Sequence, residues 1–103
     1  MNTLPLAPHE LELMQSVFRR HPEVSTATLF GSRAKGTHSA GSDVDLVVSG
    51  VSDPLQAEAI AAELDELPLP YRFEVQSLDH IRHPALREHI ARVGINVYPT
   101  AGF

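Results

Sequence analysis

At 103 residues the chain has room for one small domain with a real core and none for a second, so residues 1–103 are expected to form a single unit. Its 43% hydrophobic and 20% charged residues are ordinary for a globular protein and exclude a disordered chain. A net charge of -5 argues against broad nucleic-acid binding, because such a surface repels phosphate unless metal or a local basic patch intervenes; the absence of cysteine excludes disulfides and thiolate metal sites.

The amino terminus lacks a basic region followed by a long apolar run, and no apolar stretch approaches the roughly 20 residues that cross a bilayer. A cytoplasmic protein without membrane contact is expected. Residues 8 to 20 place Leu11, Met14, Val17 and Phe18 at helical spacing, with Pro8 in the first turn and Glu10 and Glu12 near the positive end of the helix dipole. His21-Pro22 ends that helix. Val24 to Phe30 is apolar and β-branched enough for a strand running into Gly31. A short helical turn over Ser32 to Gly36 and a turn at Gly41-Ser42 are predicted before a second strand, Asp43 to Val48. Asp53-Pro54 reads as an N-cap followed by proline at the first helical position. Leu55, Ile60, Leu64 and Leu67 then make a helix of about four turns that stops at Pro68.

Tyr71 to Gln76 alternates, with Tyr71, Phe73 and Val75 on one face and Arg72, Glu74 and Gln76 on the other. Pro84 opens a last helix striped by Leu86, Ile90 and Val93, with Gly94 at its C-terminal cap, and Ile95 to Tyr98 predicts a short edge strand. The order points to an α+β domain: a small mixed β-sheet with helices packed on one face and an open polar face.

Residues 29 to 48 hold the chemistry. In an extended strand, Asp43 and Asp45 leave the same face with alpha carbons about 6.5–7 Å apart, while Val44, Leu46 and Val48 point the other way. If the third strand lies alongside, Glu74 joins them, and one or two Mg²⁺ ions would turn the repulsion among three carboxylates into a binding site. Two such metals about 3.5–4 Å apart activate an attacking hydroxyl and neutralise a leaving pyrophosphate. Gly31 allows the backbone close to a triphosphate, and neighbouring amides with the Ser32 hydroxyl can donate to its oxygens. Arg33 and Lys35 are further phosphate contacts, against a plain solvated loop. The Gly31 to Gly36 spacing is not a Walker loop, since Thr37 stands where that motif needs lysine. His80, His83 and His89 lack a convincing fourth ligand, with Pro84 interrupting them, and read as surface residues, as does His38.

Gly31-Ser32, ten residues, then Asp43-Val44-Asp45-Leu46 resembles the signature of the DNA polymerase beta nucleotidyltransferase superfamily. The short length, the Gly31-Ser32-Arg33-Ala34-Lys35-Gly36 loop and the closing Gly94-Ile95-Asn96-Val97-Tyr98 resemble its minimal nucleotidyltransferases, often the antitoxin half of a pair with a HEPN-domain toxin. The resemblance covers most of residues 8 to 98. It implies the polymerase beta-like fold, a two-Mg²⁺ site of Asp43, Asp45 and Glu74, and a nucleotide grip of Gly31, Ser32, Arg33 and Ser42. It further implies transfer of AMP from ATP to a tyrosine of a HEPN-type partner and hence a hetero-oligomer. The family pattern usually has aspartate where this chain has Glu74; Asp79 is the next acid along. Two aspartates at alternate strand positions, taken alone, are more simply a solvated face. A non-catalytic antitoxin or nucleotide-sensing module that neutralises its partner by binding is the alternative function. A small-molecule transferase would need a second domain to hold its acceptor.

Overall fold

The computed structural model describes residues 7–31 and 43–99. In chain order they form α1 (Pro8–Arg19), β1 (Thr26–Phe30), β2 (Val44–Ser49), α2 (Pro54–Asp65), β3 (Phe73–Ser77), a 3₁₀ turn (Leu78–His80), α3 (Pro84–Val93) and β4 (Ile95–Tyr98). The strands lie in the order β3-β2-β1-β4; β1 is antiparallel to β2 and β4, and β2 is parallel to β3 across the α2 connection. This is the expected small mixed sheet of an α+β domain, with β4 at one edge and β3 at the other.

Pro8 starts α1 at a position where a missing N–H costs nothing. Glu10 accepts the Ala7 N–H at 2.9 Å, and the Tyr71 hydroxyl donates to the same carboxylate at 3.0 and 2.9 Å. The carboxylate of Asp53 caps α2 by accepting the Leu55 N–H at 2.9 Å. Alternation within the strands then divides the sheet. Ala27 and Leu29 of β1, Val44, Leu46 and Val48 of β2, and Phe73 of β3 pack with Met14, Val17 and Phe18 of α1 and Ile60 and Leu64 of α2 in the main core. Phe30 and Val47 face the opposite way.

Several element boundaries differ from the sequence reading, and those of β1, α2 and β3 have a local reason. β1 begins at Thr26 because Val24 is still in a turn, its N–H on the His21 carbonyl. α2 ends at Asp65, three residues before Pro68: Glu66 and Leu67 bond to carbonyls three residues back, and the Asp65 carboxylate leaves to accept the Phe73 N–H at 3.0 Å. β3 starts at Phe73, Tyr71 being held by Glu10. Gly94 caps α3 as expected but with φ -65°, so no left-handed turn is involved; a Cβ there would strike the Ile90 carbonyl oxygen and Thr28 Cγ2.

Of the three α-helices among the described residues, α1 and α2 share one face as expected. The second face is not open throughout: Ile90 and Leu86 of α3, with Ile81, close over Phe30 and Val47 in a smaller apolar cluster. Arg87 ties α3 down by donating to the carbonyls of Leu78 and Ile81 at 2.8 and 2.9 Å. Asp45 and Glu74 lie on that face toward the end of the sheet where β2 begins and β1 finishes.

Candidate active site

Strand register determines which acids meet. β2 and β3 run parallel with Asp45 opposite Glu74, so the two carboxylates leave the same face of adjacent strands. Asp45 is half-buried and Glu74 exposed. Asp43 stands one residue before β2, exposed and close enough for its charge to act on Asp45. Asp79 lies beyond the end of β3 in the 3₁₀ turn, and the register puts Glu74, not Asp79, beside Asp45.

The Asp45 carboxyl is pushed up from 3.8 to about 6. Burial is the largest cause, followed by a hydrogen bond with Glu74 that favours the protonated form, then by the negative charges of Glu74 and Asp43. Part of that burial has a visible origin. Phe30 pairs with Asp45 across the β1–β2 ladder, on the same face, and belongs to the apolar cluster with Val47, Ile81 and Ile90. Sequence reasoning passed over Phe30; strand parity counted back from Gly31 would have found it.

Gly31 follows β1 with φ +79°, a conformation that side-chain-bearing residues rarely adopt. A Cβ on it would lie 2.6 Å from Asp45 Oδ2, so its main chain lies directly against the carboxylate. The structure therefore brings together Gly31, Asp45 and Glu74, with Asp43 at their margin. Ser32, Arg33, Ser42, Lys35, His38 and the turns expected at Ser32 to Gly36 and Gly41-Ser42 lie outside the described residues.

Among the described residues, no three histidine or acidic side chains form a closed metal site. The donor set that is present, two adjacent carboxylates and a third nearby, suits a hard divalent cation that keeps water and substrate oxygens in its other positions. His80 makes a hydrogen bond with the Ser52 carbonyl and His83 precedes α3, both exposed, while His89 is half-buried on that helix.

A family model described as "Polymerase beta, Nucleotidyltransferase" matches residues 12–101. No curated protein matches the chain significantly. Among solved structures, the chain is similar to one from a toxin-antitoxin complex with AMP-PNP, at 21% identity and TM-score 0.73, covering 88% of this chain and 74% of that one. It is similar also to a chain of the MntA-HepT toxin-antitoxin complex, at 18% identity and TM-score 0.68, covering 91% and 74%. A third likeness is to a chain of the tri-AMPylated Shewanella oneidensis HEPN toxin in complex with MNT antitoxin, at 18% identity and TM-score 0.67, covering 89% and 71%. Identities this low speak for the fold.

Proposed function

The chain belongs to the polymerase beta nucleotidyltransferase family, and on that premise we propose that it transfers AMP from ATP to a protein hydroxyl, a tyrosine of a HEPN-type toxin, as the antitoxin of a cytoplasmic pair. The observation that carries this reading is the meeting of Asp45 and Glu74 across parallel strands, against the main chain of Gly31. Two carboxylates in register beside a residue without a side chain suit the cations of a polyphosphate. The partner is suggested by the company of the similar structures: toxin-antitoxin complexes, one with AMP-PNP and one whose HEPN toxin is tri-AMPylated.

In this mechanism Gly31 and the Ser32 amide and hydroxyl hold the triphosphate, with Arg33 and Ser42 as further contacts. Asp43, Asp45 and Glu74 would hold a pair of Mg²⁺ ions, whose chemistry is to lower the pKa of the attacking hydroxyl and offset the charge of the leaving pyrophosphate. The acceptor oxygen bonds to the α-phosphorus, the bond from that phosphorus to the bridging oxygen breaks, and pyrophosphate departs. Glu74, the exposed member of the pair, takes the hydroxyl proton. The partner supplies the acceptor's orientation.

The test is intact-mass analysis of the candidate toxin after incubation with this protein, Mg²⁺ and ATP. Adducts of one or more AMP units are expected with the native chain and none with Asp43→Asn plus Asp45→Asn. Neutralisation by both proteins with no adduct from either would instead establish an antitoxin that acts by binding.

A further inference from the structure

The two edges of the sheet are finished differently. At β4 the Val97 carbonyl accepts from the buried Gln15 side chain at 3.0 Å. On β3 the first outward group, the Phe73 N–H, is held by Asp65. The Arg72 carbonyl accepts the Val44 N–H, so even-numbered groups of β3 point toward β2 and those of residues 73, 75 and 77 point outward. Among the described residues, none pairs with the outward N–H and C=O of Val75. Beside this edge lies a cleft of about 280 Å³ between α2 and β3, lined by Pro54, Ala57, Glu58, Val75, Ser77 and Ile81, and Leu55 on the adjoining turn of α2 is 71% exposed.

We infer that β3 is the interface of a two-fold homodimer, in which two copies pair antiparallel about Val75 and join their sheets into one of eight strands. The strand is self-complementary about that residue. Val75 N–H and C=O meet those of the second copy, and each Ser77 N–H meets the Phe73 carbonyl opposite. The Phe73 N–H stays on Asp65, so the Ser77 carbonyl opposite it is left to water. On the acid-bearing face, Glu74 of each copy falls opposite Gln76 of the other, so an amide, not a second carboxylate, faces each acid. The interface is isologous and closes on itself, with β4 of each copy as the outer edges of the joined sheet. It also brings the second copy's Gln76 beside an acid of the candidate active site.

Sedimentation equilibrium of the full chain over rising concentration should reveal a species of twice the 11.3 kDa chain mass. Amide exchange at Val75 should slow as that species accumulates. Val75→Pro removes the outward N–H at an edge position and should abolish the dimer. Should that variant fail to fold, the exposed Gln76 supplies the second test. Gln76→Glu sets two carboxylate pairs against each other and should weaken the dimer about tenfold at low salt, less at high salt, whereas Gln76→Lys should tighten it. A chain monomeric at every concentration would overturn the inference. So would a dimer indifferent to the charge at position 76, or one in which Val75 exchanges as fast as in the monomer.

Discussion

β2 has two unlike faces. Toward α1 and α2, Val44, Leu46 and Val48 are fully buried; on the other side Asp45 sits half-buried between Phe30 and Glu74 on the neighbouring strands. The same six-residue strand thus stabilises the domain with one set of side chains and works against its stability with the other. A carboxylate placed beside a second acid and an aromatic ring is a poor choice for folding, which is the physical reason to look for chemistry there. The first face anchors the strand firmly enough for the second to be held in that state.

Substitutions on the two faces should therefore fail in different ways. The largest effect belongs to Asp45→Asn, which keeps size and removes a metal-binding charge: AMP transfer to the partner, followed by intact mass, should fall by about three orders of magnitude or more. The melting temperature of that variant in excess chelator should match or exceed the native value, because repulsion with Glu74 and Asp43 is relieved. A loss of stability in Asp45→Asn would mean that the two faces are not separable.

Leu64→Ala, on the fully buried face of α2, should cost about 2–5 kcal/mol in chemical denaturation and leave turnover per folded molecule unchanged. Gly31→Ala sharpens the contrast by touching both properties. Its left-handed φ costs about 1–2 kcal/mol for an alanine, and the added methyl would press on Asp45 Oδ2, so reduced stability and reduced transfer are expected together.

The smallest effect is on pH. The Asp45 carboxyl is raised from 3.8 to about 6, so the stability it contributes is complete below the unfolded value and is lost as pH rises through about 6. Metal-free native protein should gain melting temperature relative to Asp45→Asn as pH is lowered from about 7.5 to about 5. Saturating Mg²⁺ with ATP should flatten that difference, since cations bound at the pair favour the ionised form. A parallel pH dependence in the two proteins would locate the titration elsewhere.

Much of this was legible in the chain alone, where the deciding forces are local. Proline at first helical positions, the Asp53 cap, helical spacing in residues 8 to 20 and alternation around Glu74 announce their elements because backbone geometry and burial act over a few residues. The Gly31, Asp43 and Asp45 spacing singled out the candidate site for the same reason, a strand end and a strand start close together in sequence. The meeting of Glu74 with Asp45 required the parallel register of two strands separated by α2, a pairing that nothing local specifies. Tertiary structure alone also set Phe30 beside Asp45, turned Asp65 from the helix to the β3 edge, and laid α3 over half of the second face. Those arrangements depend on which surfaces distant segments bury against one another, and side-chain periodicity specifies the face of each element without naming its partner.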